Sequence, residues 1–174
     1  MEKIGFFGGC FNPPSNIHIE LANNLIKTNK LDKVVFVPVN DWYTKNELIP
    51  AKHRLNMIKL AIKDYNNLEV DDIEIQENKE LFAIDAFELI TKKYSNKCEI
   101  FFIMGSDNFE KMHNWKNYDK IKENKYIVIE RGKNKISSTQ IRKMIENNCE
   151  EVINYLPKDV YKYINQNELY KRRN

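Results

Sequence analysis

The chain has 174 residues, of which 42% are hydrophobic and 30% are charged, a composition typical of one globular domain. Its net charge is only +3 and its one basic cluster lies at residues 171–173, which argues against a nucleic-acid partner. No apolar run approaches the ~20 residues that span a bilayer, and the three cysteines are too far apart to indicate a disulfide framework or a zinc site. With no apolar segment of the signal-peptide type near residue 1, we predict a cytoplasmic protein that does not bind membranes.

Short apolar segments alternate with amphipathic segments along the chain. Because stretches of helical length separate the predicted strands, we expect parallel βαβ units. The strands are apolar along most of their length, which suits a sheet covered on both faces. Strands are predicted at residues 3–8, 33–39, 68–75, 99–104 and 125–130, and helices at residues 16–28, 51–63, 82–94, 139–147 and 158–164.

The predicted fold class is therefore α/β: a Rossmann-like, doubly wound and mostly parallel sheet of five to six strands with helices on both faces. We expect a single domain over residues 1–174, with a core at 1–147 and a C-terminal helical extension at 148–174. In such a fold the ligand binds beyond the carboxyl ends of the strands, where the strand order reverses. The loops that follow the predicted strands are thus the candidate site.

The loop after the first predicted strand is suited to binding phosphate. Gly8 and Gly9 allow the backbone to approach a ligand closely. Ser15 is a plausible N-cap of the helix that follows, and a helix N-terminus offers unpaired N–H groups to an anion. The alternative is an ordinary tight turn followed by a capped helix, which these glycines alone do not exclude.

The same loop resembles the G-x-F-x-P-x-(H/T)-x-G-H signature of the adenylyltransferase and cytidylyltransferase superfamily, the nucleotidylyltransferases of the HxGH type. Two positions depart from that signature: Ser15 stands where the family has His or Thr, and Ile17 stands where it has Gly. The matching positions are Gly9, Phe11, Pro13 and His18.

A second segment, residues 136–142, reads I-S-S-T-Q-I-R and matches the I-S-S-T-x-I-R signature of the same superfamily without a mismatch. It follows the last predicted strand and opens a helix, so it offers a second helix N-terminus and the fixed positive charge of Arg142 to phosphates. Alone, this segment would also fit a Ser-Ser-Thr helix cap followed by a surface arginine.

Further segments resemble the bacterial nicotinate mononucleotide adenylyltransferases. The resemblance spans roughly residues 3–147. One of these segments departs from the family, because Phe82 and Ala83 stand where the family's Y-T-x-D segment has Tyr and Thr. The other matching features are the Gly8-Gly9 pair, Lys45, the H-R-x-x-M stretch from His53 to Met57, the G-x-D-N segment at residues 105–108, and Trp115.

The resemblance implies a role for each matching residue. Catalytic roles fall on His18, Ser15 and Arg142. ATP-binding roles fall on Gly8, Gly9, Phe11, Gly105, Asp107, Ile136, Ser137, Ser138 and Thr139. Acceptor-binding roles fall on Lys45, Arg54, Phe82, Ala83 and Trp115.

The implied reaction is adenylyl transfer from ATP to the 5′-phosphate of nicotinate mononucleotide, which gives deamido-NAD and pyrophosphate. Mg²⁺ would be held mainly by the ATP phosphates, so no protein metal ligand is predicted. Three alternatives stay open: a nicotinamide mononucleotide acceptor, a phosphopantetheine or cytidylyl reaction of the same superfamily, and a non-catalytic nucleotide-binding protein. The sequence also leaves homo-oligomerisation open.

Overall fold

The computed structural model describes residues 1–44, 47–130, 132 and 135–171. Within these residues, five strands form one sheet in the order β3-β2-β1-β4-β5, and every pairing is parallel. The doubly wound α/β prediction is confirmed, with five strands. The strands are β1 (Lys3–Gly9), β2 (Lys33–Pro38), β3 (Leu68–Val70), β4 (Glu99–Gly105) and β5 (Tyr126–Ile129).

Helices cover both faces of the sheet. The largest buried cluster lies on one face of the sheet, beneath the helices at Asn16–Lys27, Ala51–Ile62, Ser138–Glu146 and Lys158–Gln166. The helix at Ala83–Tyr94 packs on the other face. Short 3₁₀ helices lie at Met112–Asn114 and Glu150–Asn154. The α-helices are α1 (Asn16–Lys27), α2 (Ala51–Ile62), α3 (Ala83–Tyr94), α4 (Ser106–Lys111), α5 (Tyr118–Ile121), α6 (Ser138–Glu146) and α7 (Lys158–Gln166).

The apolar character of the strands follows from burial on both faces. Neighbouring residues of a strand point to opposite sides of the sheet. Phe7 accordingly packs in the cluster beneath α1, α2, α6 and α7, whereas Phe6 packs against α3. Both side chains are almost completely buried, and each such burial stabilises the fold by about 1.5–3 kcal/mol.

The third strand is shorter than predicted. The sequence predicts a strand at residues 68–75, but β3 ends at Val70 and residues 73–76 form a turn. The Asp71 carboxylate is buried, where it accepts hydrogen bonds from the Ile73 N–H at 3.0 Å, from the Lys93 ammonium at 2.6 Å and from the Tyr94 hydroxyl. A buried carboxylate needs such partners, and satisfying them bends the backbone away from the sheet.

The C-terminal segment packs into the main core rather than lying apart from it. Val152, Leu156, Val160 and Ile164 all belong to the cluster beneath α1 and α2, and α7 lies against α2. Across the described ranges, no helix combines the length and the apolar character needed to cross a membrane.

Parallel pairing brings the important loops to one edge of the sheet. The strand order reverses between β1 and β4, the neighbours at the centre of the sheet. The pairing of β1 with β4 ends at Phe7 and Ile103, and beyond it Gly9 pairs with Pro38 of β2 and Gly105 with Ile129 of β5, so β1 and β4 separate at this edge. This is the crevice where ligands bind in open α/β sheets.

Candidate active site

The two signature segments meet at this edge of the sheet. The Ser138 hydroxyl donates to the Pro13 carbonyl at 2.9 Å, and Nη1 of Arg142 donates to the Asn12 carbonyl at 2.9 Å. The joined residues are 125 and 130 positions apart in the chain. The fold therefore brings the loop after β1 and the start of α6 into direct contact. We call residues 8–15 the phosphate loop from here on.

The hydrogen bonds of His18 determine which ring nitrogen carries the hydrogen. The backbone N–H of Ser15 donates to Nδ1 of His18 at 3.0 Å, and the Ser15 hydroxyl lies 3.0 Å from the same nitrogen. Because a backbone N–H can only donate, Nδ1 carries the lone pair and the ring hydrogen is on Nε2. The His18 ring thus presents an N–H donor from Nε2, which is the group a phosphate oxygen needs.

Ser15 supports His18 instead of facing the ligand. It is the N-cap of α1, as predicted, but only 2% of its surface is exposed. Its hydroxyl lies 3.0 Å from Nδ1 of the imidazole, and the catalytic role that the resemblance implies for Ser15 stays a prediction.

Phe11 also lies in the core, although the resemblance gives it an ATP-binding role. It is 3% exposed, and its ring packs edge-on against Phe7, His18 and Phe36. A Cβ at Gly9 would approach the Phe11 ring to 3.1 Å, so this glycine makes room for the ring. Phe11 has a φ of 47°, a left-handed conformation that is unfavourable for a bulky residue and requires support from its surroundings.

Gly8 and Gly105 differ from Gly9 in having open space around them. A Cβ built at either position would meet no atom within 4 Å. Gly105 is the N-cap of α4, and Asp107 is exposed in the first turn of that helix. These positions are accessible from the crevice, as the predicted nucleotide contacts require.

Arg142 lies at the centre of the site and already holds an anion from its own chain. Nη2 donates to a carboxylate oxygen of Glu47 at 2.9 Å and lies 3.4 Å from the Thr139 hydroxyl. Glu47 is 70% exposed, whereas the Arg142 side chain is 10% exposed. Nε of Arg142 is buried and has no hydrogen-bond partner in the described part of the chain, so its donor capacity is not exhausted. No signature segment includes Glu47, so its contact with Arg142 was not predicted.

The start of α6 is a well-capped helix N-terminus. The Ser137 hydroxyl accepts the Gln140 N–H at 3.2 Å, and the Gln140 side chain accepts the Ser137 N–H at 2.8 Å. Ser137 is therefore the cap. Thr139 is exposed in the first turn, whereas Ile136 is half-buried against the main core.

Three of the predicted acceptor-binding residues, Phe82, Ala83 and Trp115, lie near the start of α3. Trp115 is half-buried in a small cluster that includes Ile84, which directly follows Phe82 and Ala83. Phe82 is the N-cap residue of α3, and its N–H donates to the Asp85 carboxylate at 2.8 Å.

A cation lies beside these aromatic residues. Nζ of Lys116 is 4.3 Å from the centre of the Phe82 ring, and the Phe82 ring is 47% exposed. Lys116 directly follows Trp115 in the chain. The sequence analysis did not single out Lys116, since no signature includes it.

Arg54 has a different role from the predicted one. Its side chain has no exposed surface, and it donates to the carbonyls of Ile49 at 2.9 Å and Cys10 at 3.1 Å. It also reaches the Asn40 carbonyl at 3.5 Å and the Asp41 carboxylate at 3.3 Å. A side chain enclosed in this way joins the phosphate loop to the loop after β2 and cannot touch an acceptor as placed.

A buried carboxylate lies near Arg54. Glu74 is 8% exposed, and burial raises its pKa to about 7, although the Arg54 guanidinium acts in the opposite direction.

Lys45, a predicted acceptor-binding residue, lies outside the described residues. Of the residues that the structure describes, no group of three or more His, Cys, Asp or Glu side chains is placed to hold a metal ion.

Comparison with known proteins agrees with this geometry. The model of the cytidylyltransferase-like family matches residues 6–144. The probable nicotinate-nucleotide adenylyltransferase of Lactococcus lactis is 31% identical, with 99% of this chain and 97% of that protein covered. The protein of the same name from Flavobacterium johnsoniae is also 31% identical, with 98% and 100% covered.

A solved structure shares the fold over its whole length. The nicotinic acid mononucleotide adenylyltransferase of Plasmodium falciparum, complexed with NaAD, matches with a TM-score of 0.82 at 21% identity, covering 98% of each chain. At this identity the likeness shows the fold alone. The family model and the full-length relatives show more: the chain belongs to the cytidylyltransferase-like family and, within it, to the nicotinate-nucleotide adenylyltransferases.

Proposed function

We propose that this chain transfers the adenylyl group of ATP to the 5′-phosphate of nicotinate mononucleotide, forming deamido-NAD and pyrophosphate. The observation that carries the proposal is the contact between the phosphate loop and α6, which places His18 and Arg142 at one edge of the sheet. The names of the full-length relatives support the same activity.

The chemistry needs positioning and charge neutralisation rather than a protein nucleophile. An oxygen of the acceptor phosphate attacks the α-phosphorus of ATP, and the bond from that phosphorus to the oxygen bridging the α- and β-phosphates breaks. The electron pair leaves with pyrophosphate. Nε2–H of His18 donates to the phosphate oxygens as their charge increases, and Arg142 binds the departing pyrophosphate.

ATP enters as its Mg²⁺ complex. The groups around the phosphate loop include an imidazole N–H, a guanidinium and a helix N-terminus, which suit an anion, and the nearby Glu47 carboxylate is paired with Arg142. Mg²⁺ is therefore carried by phosphate oxygens and water, which is usual for this ion.

The acceptor side favours a ring that bears a carboxylate. Trp115 offers an aromatic face for the pyridine ring, and Lys116 places a positive charge beside Phe82 at the same location. A carboxylate gains more from a nearby ammonium than a neutral amide does. We therefore propose nicotinate, rather than nicotinamide, mononucleotide as the preferred acceptor. We place the reaction in the cytoplasm, where the three cysteines, none of them in a disulfide, remain reduced.

The test is pyrophosphate release from MgATP with nicotinate mononucleotide, nicotinamide mononucleotide or phosphopantetheine as acceptor. We expect release to be fastest with nicotinate mononucleotide, and His18→Ala to lower turnover by at least ~100-fold. His113→Ala removes an exposed imidazole and should leave turnover unchanged. Binding of ATP without release for any acceptor would instead establish a non-catalytic nucleotide-binding protein, and normal turnover in His18→Ala would refute the role of His18.

A further inference from the structure

The C-terminal segment of the chain contacts the phosphate loop at Asn12 and the start of α1 at Asn16. The Tyr170 hydroxyl donates to Oδ1 of Asn12 at 2.8 Å. Four residues after Asn12, the backbone N–H of Asn16 donates to the Tyr155 carbonyl at 3.0 Å, and the side-chain amide of Asn16 donates to the Asn154 carbonyl at 3.1 Å. Both ends of the stretch that leads into α1 are thus held by residues that follow α6.

Asn12 is the junction of these contacts. It is 4% exposed, and its side-chain amide donates to the Glu47 carbonyl at 2.8 Å. Its Oδ1 accepts from the Tyr170 hydroxyl and, at 3.5 Å, from the Ile49 N–H. Its own carbonyl accepts from Arg142. Arg142 is thus held by the Asn12 main chain, whose position the side-chain hydrogen bonds of Asn12 restrain.

The loop needs this support because of the residue before Asn12. Phe11 has a φ of 47°, and a non-glycine residue keeps such a conformation only when its surroundings enforce it. The Phe11 ring is fixed by the core, and the hydrogen bonds of Asn12 fix the other side of the strained residue. If one of these bonds is lost, the backbone at residues 11 and 12 can relax to a different conformation.

Tyr170 is a constant donor in this arrangement. Burial raises the pKa of its hydroxyl, although the guanidiniums of Arg142 and Arg54 act in the opposite direction. The hydroxyl therefore stays protonated and can donate to Asn12 at any pH at which the enzyme operates. The Tyr170 side chain also packs against the main core, which leaves it little freedom to turn away.

We propose that Tyr170 is a positioning residue for adenylyl transfer: its hydroxyl orients Asn12 and, through Asn12, holds Arg142 in place for the phosphates of ATP. This inference rests on the proposed function. Tyr170 acts on the ATP side of the crevice only, since its hydrogen bond leads to the phosphate loop and not to Trp115.

The test compares two tyrosines that each lose only a hydroxyl. Tyr170→Phe removes the bond to Asn12, and the matched control Tyr163→Phe removes bonds to Nδ1 of His53 at 2.9 Å and to the Asn56 amide at 3.2 Å. We expect Tyr170→Phe to raise KM for ATP about three- to tenfold and to leave KM for nicotinate mononucleotide unchanged. Tyr163→Phe should change neither constant, even if the melting temperatures of both variants fall equally.

A double-variant experiment separates positioning from general stabilisation. In an Asn12→Ala background, adding Tyr170→Phe should raise KM for ATP no further, because the two residues act through one contact. Three outcomes would each overturn the inference. They are equal KM values for ATP in Tyr170→Phe and Tyr163→Phe, additive effects in the double variant, and loss of folding in Tyr170→Phe. An inactive wild-type chain would refute the proposed function instead, and the dissociation constant of MgATP from calorimetry on the same variants would still decide the role of Tyr170.

Discussion

Replacing Arg54 with methionine separates a structural role from an acceptor-binding role. Arg54→Met keeps a long side chain of similar length but removes every donor of the guanidinium. The Ile49 and Cys10 carbonyls would lose the hydrogen bonds that Arg54 donates at 2.9 and 3.1 Å. The Arg54 side chain that makes these bonds has no exposed surface. The loop after β2 and the phosphate loop would no longer be joined at this point.

The structure sets the size of the expected loss. A hydrogen bond from a charged group contributes about 1.5–3 kcal/mol, so the two close contacts account for about 3–6 kcal/mol. The contact with Asp41 adds less than about 1 kcal/mol, because that carboxylate is 58% exposed. Burial lowers the pKa of Arg54, which shows that the charge is held at a desolvation cost that methionine avoids. We therefore expect a net loss of about 3 kcal/mol in the free energy of unfolding.

Thermal unfolding measures this loss directly. About 3 kcal/mol corresponds to a melting temperature lower by about 6–12 °C in a chain of this size. Lys52→Met is the matched control, since it removes an exposed positive charge from the same helix and should stay within about 0.5 kcal/mol of wild type. Equal melting temperatures for the two variants, with KM raised only for the acceptor in Arg54→Met, would refute this reasoning and establish direct acceptor binding.

Three further predictions concern charge at the same edge of the sheet. Glu47→Gln frees Arg142 from an exposed ion pair, so the affinity for MgATP should rise about three- to fivefold by calorimetry; an affinity equal to that of Glu151→Gln, an exposed control, would contradict this. Because burial raises the pKa of Glu74 to about 7, the folded chain keeps a proton that the unfolded chain releases, and stability falls as the pH rises from ~4.5 to 7. Glu74→Gln should abolish this fall, which is of the order of 3 kcal/mol, in denaturant titrations between pH 4.5 and 8, and a wild-type slope in the variant would exclude the assignment. Lys116→Met should raise KM for nicotinate mononucleotide about three- to tenfold but not KM for nicotinamide mononucleotide, and equal changes for both acceptors would count against a carboxylate contact.

Local patterns in the sequence were sufficient to predict most of the fold. The five strands and the helices α1, α2, α3, α6 and α7 each match a predicted segment, whereas the short helices α4 and α5 were not predicted. The two faces of the sheet are buried, so apolar runs marked the strands. The prediction for residues 68–75 was wrong in extent, because Asp71 is held by partners on α3 that the local sequence does not reveal.

The candidate site was predictable only where a signature names the residue. The meeting of the phosphate loop with α6 followed from the parallel fold, and the structure shows the contact. The roles of Arg54 and Ser15 did not follow, since full burial of a charged or polar side chain depends on partners from other loops. The contacts of Glu47 and Tyr170 join residues 95 and 158 positions from their partners and belong to no signature, so local sequence carries no sign of them.

The position of β1 has a consequence for how this chain folds. β1 pairs on one side with β2, which is near it in sequence, and on the other side with β4, where Ile4 meets Ile100. Closing the second pairing brings together segments separated by more than half the chain, and such long-range contacts form slowly because their loop-closure entropy must be overcome first. The crevice lies between β1 and β4, so it does not exist until that pairing is complete. Nucleotide binding will therefore report the slow step of folding. If a refolding chain recovers its helical signal before it recovers ATP binding, it passes through an intermediate in which only the β1-β2-β3 half of the sheet is assembled.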